Sequence, residues 1–206
     1  MKKRPFAGDS EGHVYPPLAA PEATRVLSWP LAGVREAAAA RGLPVDGILL
    51  VVDVSRQRLA LLRRGQVERE YPISTSSKGV GNVRDTYMTP TGFHVVVEWI
   101  GDGEPMGRVF KARKPVDEVV PEPEWANSSA PERITTRILR LDGLEPGVNR
   151  GGDVDTFSRF VYLHGTNHED KLGQPASRGC VRVGNRDMID LFDRTRGSIT
   201  WCWIGG

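Results

Sequence analysis

The chain has 206 residues, of which 39% are hydrophobic and 26% are charged, and its formal net charge at pH 7 is +2. This length suits one domain with a short extension, and the near-neutral charge does not favour a nucleic-acid-binding protein. No stretch approaches the roughly 18 apolar residues of a transmembrane helix, so we expect no integral membrane segment.

The first 46 residues are predicted to form an extension that is partly irregular, because several prolines interrupt it. A short helix is predicted over residues 34–41 and ends at Gly42-Leu43-Pro44. The charged start, Met1-Lys2-Lys3-Arg4, is not followed by the apolar segment of a signal peptide. We therefore expect a cytoplasmic location for the chain as written, and a periplasmic one if an export signal is missing from this sequence.

From residue 47 to residue 206 the pattern predicts a mainly β domain, with short apolar runs separated by turns rich in glycine and proline. A helix is predicted over residues 186–194, with Asn185 as its N-cap. Residues 111–132 are polar and rich in proline and predict a long surface excursion, either a lid or mobile decoration. Strands are expected at residues 48–54, 59–62, 67–75, 93–100, 134–141, 159–164, 180–183 and 198–204.

Cys180 is the first candidate for chemistry, since it ends the turn Ser177-Arg178-Gly179-Cys180. A glycine-containing turn can expose the sulfur, and the amides of Gly179 and Cys180 would then form an oxyanion hole. Arg178 and Arg182 flank the cysteine and are expected to favour the thiolate. The alternative for a lone cysteine is a buried small hydrophobic residue.

His164 is the candidate base, since it ends an apolar strand immediately before Gly165. The alternative is a core histidine with satisfied hydrogen bonds. His168 follows four residues later, a spacing that binds zinc on a helix, but Gly165 argues against a helix and no metal site is expected. Cys202 lies between two tryptophans on the last strand, where we expect it to pack rather than to pair with Cys180.

These residues resemble the signature of the L,D-transpeptidase catalytic domain, the YkuD-type domain, in which a histidine-glycine is followed by S-H-G-C-x-[RN]. The resemblance extends in order over residues 47–206. It is carried by Tyr162-Leu163-His164-Gly165-Thr166, Ser177-Arg178-Gly179-Cys180-Val181-Arg182-Val183, Ser74-Thr75-Ser76, Thr89-Pro90-Thr91-Gly92 and Asn149-Arg150-Gly151-Gly152.

The resemblance implies a mainly β, antiparallel β-sandwich-like fold and a cysteine acyltransferase that acts on peptidoglycan stem tetrapeptides. Such enzymes cleave the L,D bond between diaminopimelate and the terminal D-alanine through a Cys thioester. Carried over by position, Cys180 is the nucleophile, His164 is the base, and the Gly165 carbonyl orients the imidazole. Ser177, Arg178 and Arg182 would shape the donor site, and no metal or organic cofactor is needed.

The chain departs from the family at Arg178, where histidine is usual. Arginine stays protonated and cannot act as a base, but it can clamp a carboxylate through two hydrogen bonds. The carboxylate of the terminal D-alanine is the expected target.

Other functions remain open at this point. The acyl-enzyme reacts either with an amine of another stem, which is transpeptidation, or with water. The second outcome would make the protein a cytoplasmic L,D-carboxypeptidase that hydrolyses recycled muropeptides. A catalytically inactive peptidoglycan-binding module and a papain-like protease are further alternatives. The sequence predicts no particular oligomeric state.

Overall fold

The computed structural model describes Trp29, residues 31–43 and residues 47–206. Within these residues the α-helices are α1, Leu31–Ala39, and α2, Asn185–Thr195. The strands are β1 Ile48–Asp53, β2 Arg58–Arg63, β3 Gln66–Ser74, β4 Gly92–Ile100, β5 Arg108–Lys111, β6 Lys114–Val119, β7 Ile134–Gly143, β8 Tyr162–Thr166, β9 Val181–Val183 and β10 Thr200–Gly205. Neither α-helix has the length and apolar character needed to cross a membrane.

The strands form one sheet that closes on itself. Its order is β4-β10-β1-β2-β3-β9-β8-β7-β5-β6, and β4 also pairs with β7. This additional pairing joins the ends of the run from β4 to β7, while β5 and β6 extend from β7 as a hairpin. Only the β1–β10 and β8–β9 pairs are parallel. The mainly β, predominantly antiparallel architecture expected from the sequence is therefore confirmed.

The period-2 alternation of the strands divides the apolar side chains between two layers. Leu50 and Val52 of β1 lie inside the closed sheet, where they belong to the same core as Met188 and Phe192 of α2. Val51 faces the other way, into a smaller cluster with Trp29, Val34 and Ala38 at the N-terminal side. Each fully buried side chain of this size contributes about 1.5–3 kcal/mol to folding. The described part of the extension, containing α1, thus packs on the outer surface of the sheet.

Two details of the predicted helices differ from the structure. Helix α1 begins at Leu31 rather than at residue 34. Asn185 is not the N-cap of α2, because Gly184 occupies that position and Asn185 is the first residue of the helix. The buried Asn185 side chain instead accepts a hydrogen bond from the Thr135 hydroxyl at 2.6 Å and donates one to the Thr166 carbonyl at 2.7 Å.

The prediction of an excursion without regular structure over residues 111–132 is wrong for its first part. Residues 108–119 form the β5–β6 hairpin, whose turn residues Ala112 and Arg113 have φ of 47° and 67°. This left-handed turn conformation is usually signalled by Asn-Gly or Asp-Gly, which the chain lacks here. Pro115 is accommodated because β6 is an edge strand.

Candidate active site

Parallel pairing of β8 and β9 brings the two predicted catalytic residues to one face of the sheet. Leu163 lies opposite Val181, and both are buried in the core. The residues that alternate with them lie on the opposite face, namely Tyr162 and His164 on β8 and Cys180 and Arg182 at β9. Cys180 packs in a cluster that includes Tyr162, and His164 is the cross-strand partner of Arg182. The cysteine and the histidine are therefore near neighbours on adjacent strands.

His164 is buried, and its ring is oriented by the backbone of the next residue. Its Nδ1 lies 2.8 Å from the Gly165 carbonyl oxygen. A carbonyl can only accept a hydrogen bond, so the neutral ring carries its proton on Nδ1 and keeps the lone pair on Nε2. Burial lowers the pKa of His164 below its ordinary value, against an opposing effect of the Gly165 carbonyl. At neutral pH the imidazole is thus an unprotonated base.

Gly165 allows this arrangement because its surroundings leave no space for a side chain. A Cβ at this position would lie 2.6 Å from the Thr135 carbonyl oxygen and 2.8 Å from Asn185 Oδ1. The Asn185 side chain that fails to cap α2 therefore helps to form the wall behind the histidine.

Cys180 is partly buried, and its sulfur lies 3.7 Å from the Phe160 carbonyl oxygen. Burial raises the pKa of the Cys180 thiol to about 11, although the Tyr162 amide, Arg182 and Arg159 act in the opposite direction. Arg182 thus favours the thiolate, as expected, but desolvation outweighs its charge and that of Arg159. A thiol with this pKa needs a base to become a nucleophile.

Ser177 shapes the turn that carries the cysteine. Its buried hydroxyl donates to the Cys180 carbonyl oxygen at 2.6 Å and accepts from the Gly179 amide at 3.3 Å. Gly179 has a φ of 118°, a conformation that favours glycine. Ser177 thus makes its contacts within the turn, whereas Gly179 and Cys180 line an open pocket. The Gly179 amide, expected in the oxyanion hole, already makes a long hydrogen bond to Ser177.

The pocket beside Cys180 is a cavity of about 240 Å³. Arg178 lies on its wall, is exposed to solvent, and forms no ion pair or hydrogen bond with the residues that the structure describes. The lining also contains Arg84, Asp85, Tyr87, Ser158, Arg159, Phe160 and Val161. An unpaired guanidinium on the wall of the pocket that Cys180 also lines is suited to bind a carboxylate.

Arg159 and Tyr87 line the pocket and were not predicted from the sequence. Arg159 donates to the carbonyl oxygens of Asn82 at 2.8 Å and Met88 at 2.7 Å, which attaches residues 82–88 to the opposite wall. Tyr87 has a φ of 58° and is 61% exposed. The sequence signal for Arg159 was weak, because it lay inside a predicted strand that begins only at Tyr162.

Arg182, predicted to shape the donor site, does not line the pocket. It is buried, and its Nε donates to Glu132 Oε1 at 2.6 Å. Glu132 lies in the segment predicted as a surface excursion and was not recognised as a site residue. The structure therefore places Arg182 in an ion pair beside His164 rather than in contact with the pocket.

The remaining described histidines, His94 and His168, and the second cysteine have structural contacts. His168 Nε2 lies 2.8 Å from the Ala130 carbonyl oxygen. His94 is buried, and burial lowers its pKa to about 4. Cys202 is fully buried in the main core, as expected from its position between two tryptophans, and both cysteines are free thiols.

The comparison with known protein families agrees with this geometry. The family model of the L,D-transpeptidase catalytic domain, YkuD, matches residues 47–201. The chain belongs to the L,D-transpeptidase catalytic domain family. The resemblance seen in the cysteine and histidine motifs is thereby confirmed.

Two relatives are similar over part of the chain. YqjB of Bacillus subtilis, assigned as an L,D-transpeptidase, is 29% identical over 82 residues, which are 37% of this chain and 47% of YqjB. YkuD of Bacillus licheniformis, with the same assignment, is 45% identical over 42 residues, or 18% of this chain and 26% of that protein. The chain thus matches less than half the length of either relative.

Solved L,D-transpeptidases are among the structures to which this chain is similar. The enzyme from Mycobacterium smegmatis is 17% identical with a TM-score of 0.44, covering 78% of this chain and 59% of that one. The enzyme from Xylanimonas cellulosilytica is 19% identical with a TM-score of 0.44, covering 82% of this chain and 68% of that one.

Proposed function

We propose that this protein is a cysteine acyltransferase acting on the L,D bond between diaminopimelate and D-alanine of peptidoglycan stem tetrapeptides, in cell-wall remodelling or recycling. The observation that carries the proposal is the placement of Cys180 and His164 on one face of β8 and β9, with Cys180 open to a pocket. Membership of the L,D-transpeptidase family supports an activity of this type.

Catalysis begins with a proton transfer. Nε2 of His164 accepts the thiol proton of Cys180, and the sulfur attacks the carbonyl carbon of the diaminopimelate residue. Charge then develops on the carbonyl oxygen of the substrate, and the Gly179 amide can exchange its 3.3 Å bond to Ser177 for this oxygen. The C–N bond breaks, the imidazolium returns its proton to the amine of D-alanine, and a thioester remains on Cys180.

The second half of the reaction repeats these steps with an acceptor. An amine or a water molecule loses its proton to His164 and attacks the thioester carbon. The S–C bond breaks, and the proton returns to the Cys180 sulfur. An amine acceptor gives a crosslink between two stems, and water gives a tripeptide, so the same residues serve transpeptidation and L,D-carboxypeptidation.

Arg178 is proposed to bind the carboxylate of the leaving D-alanine. Its guanidinium lies on the pocket wall without a partner among the described residues, close in the chain to the nucleophile. Arginine can hold a carboxylate through two parallel hydrogen bonds, a geometry that neither lysine nor histidine reproduces. In this role the residue selects substrates with a free terminal carboxylate and takes no part in proton transfer.

Incubation of the pure protein with a disaccharide-tetrapeptide, followed by mass analysis of the products, tests the proposal. Crosslinked dimers mean transpeptidation, whereas tripeptide alone means hydrolysis by an L,D-carboxypeptidase. Cys180→Ala serves as the control that removes only the nucleophile. An unchanged tetrapeptide with wild-type protein would instead favour the peptidoglycan-binding module. The papain-like alternative does not agree with the family match.

A further inference from the structure

Glu132 is held in a fixed position between the hairpin region and β7. The Asn167 side chain, which is buried, bonds to the residues on both sides of it. Asn167 Oδ1 accepts from the Arg133 amide at 2.7 Å, and Asn167 Nδ2 donates to the Pro131 carbonyl oxygen at 3.0 Å. These two bonds fix the backbone at Glu132 although the segment has no regular secondary structure there.

The Glu132 carboxylate is directed at a buried cation next to the proposed base. Its Oε1 accepts from Arg182 Nε at 2.6 Å, and the Arg182 side chain is only 4% exposed. Arg182 Nη1 is buried without a hydrogen-bond partner among the described residues. Glu132 is thus the counter-ion of a guanidinium that lies directly across the strand pair from His164.

This arrangement bears on the proton transfer. When His164 accepts the thiol proton, a second positive charge forms beside Arg182 in a region with little solvent. The imidazolium of His164 and the guanidinium of Arg182, which is its cross-strand partner, repel each other. The nearby Glu132 carboxylate offsets that repulsion. The charged groups that act on His164 are Arg182 from β9 and Glu132 from the segment before β7. Cys180 lies just before β9, on the same face of the strand pair as His164, and Glu132 also interacts with His168.

We propose that Glu132 is a positioning residue that neutralises Arg182 and thereby allows His164 to carry the proton taken from Cys180. The inference rests on the proposed role of His164 as the base. It adds to the Cys180–His164 pair a carboxylate that acts on the histidine through space rather than by a hydrogen bond to the ring, since Nδ1 is already bonded to Gly165.

The test is an NMR titration of the imidazole of His164 in the full chain without substrate. The chain has four histidines, so His164→Gln identifies the signal. In Glu132→Gln, which keeps an oxygen for Arg182 Nε, the titration midpoint is expected to fall by about one pH unit or more. Arg182→Met is expected to raise the midpoint, and the double variant is expected to return it toward that of the wild type.

Glu118→Gln is the matched control, since Glu118 pairs with Arg133, the neighbour of Glu132, at 3.0 Å. Its midpoint is expected to equal that of the wild type. A folded Glu132→Gln with an unchanged midpoint would overturn the proposal, because a purely structural ion pair changes stability without moving the histidine titration. If Glu132→Gln does not fold, an unchanged His164 midpoint in folded Arg182→Met would overturn the proposal instead. Because no substrate is present, the result is independent of whether the protein cleaves tetrapeptides.

Discussion

The Nδ1 nitrogen of His164 and the carbonyl oxygen of Gly165 lie 2.8 Å apart, so the proposed base is oriented by the backbone of the residue that follows it. A backbone carbonyl cannot be removed by changing a side chain, and it cannot be protonated at any working pH. The contact therefore fixes the tautomer of the neutral ring, and it fixes the direction of the imidazole in both protonation states.

On the acid side of the pH–rate profile, the midpoint of the decline is predicted to lie below 6.5, the ordinary pKa of imidazole. The reason is that burial lowers the pKa of His164. Below that pKa the ring is protonated and cannot accept the thiol proton, so kcat/KM falls as the pH decreases. Tripeptide or dimer formation measured from about pH 4 to 9 checks this. An acid limb clearly above 6.5 would show that the buried imidazole is not the base.

Gly165→Ala is predicted to damage both stability and activity. The added Cβ would meet the Thr135 carbonyl oxygen at 2.6 Å, so the backbone that orients His164 must shift. We expect a loss of about 1–3 kcal/mol in the free energy of unfolding. Misplacement of the base by about 1 Å would lower kcat/KM roughly 100-fold. Urea unfolding and the tetrapeptide assay measure the two effects.

Gly33→Ala is the control for that substitution, since nothing lies within 4 Å of a Cβ at Gly33 in α1. Its free energy of unfolding should stay the same or rise by up to about 1 kcal/mol, because alanine favours the helix. Equal losses in the free energy of unfolding of Gly165→Ala and Gly33→Ala would contradict the role given to Gly165.

Arg178→Ala is predicted to raise KM for the tetrapeptide roughly tenfold or more, because a charge-assisted hydrogen bond to the substrate is lost. Deacylation should change much less, since the D-alanine has left by then. Arg178→His should also raise KM relative to the wild type, because a neutral imidazole cannot replace the guanidinium. Arg150→Ala, at an exposed position outside the pocket lining, is the control. An unchanged KM in Arg178→Ala would exclude the clamp.

Asp187→Asn is predicted to stabilise the protein near neutral pH and to have little effect in acid. Burial, followed by the charges of Glu169 and Asp190, raises the pKa of Asp187 from 3.8 to about 6. The folded state therefore binds this proton more tightly than the unfolded state does. Its contribution to stability is fully present below pH 3.8 and is lost as the pH rises through about 6.

Thermal unfolding at about pH 4 and about pH 7.5 measures the difference. Asparagine never ionises, so Tm of the variant should exceed that of the wild type only at the higher pH. A Tm that decreases equally at both pH values would show that the partly buried carboxylate is not the cause.

Strand alternation and local motifs predicted much of what the structure shows. The run around residues 48–54 was recognisable because five successive apolar and branched residues before a polar turn are typical of a buried strand. Cys180 and His164 were recognisable because glycines flank both and a family signature contains them. The boundary predicted at residue 46 and the cytoplasmic location stay predictions.

The parts that could not be predicted depend on closure of the sheet or on unusual turns. Glu132 meets Arg182 only because β7, β8 and β9 are neighbours, and the two residues are 50 positions apart in the chain. The hairpin turn at Ala112 and Arg113 adopts positive φ without glycine or asparagine. Asn185 is a typical N-cap residue, but buried threonines compete for its side chain.

The proposed function requires that Cys180 becomes acylated by the tripeptide part of a tetrapeptide stem. Intact-protein mass spectrometry after brief mixing with disaccharide-tetrapeptide tests this step most directly. We expect an added mass equal to the disaccharide-tripeptide acyl group, located on the peptide that contains Cys180, with free D-alanine released and neither product in Cys180→Ala. D-alanine release that persists in folded Cys180→Ala, or an adduct on another residue, would contradict the proposed function.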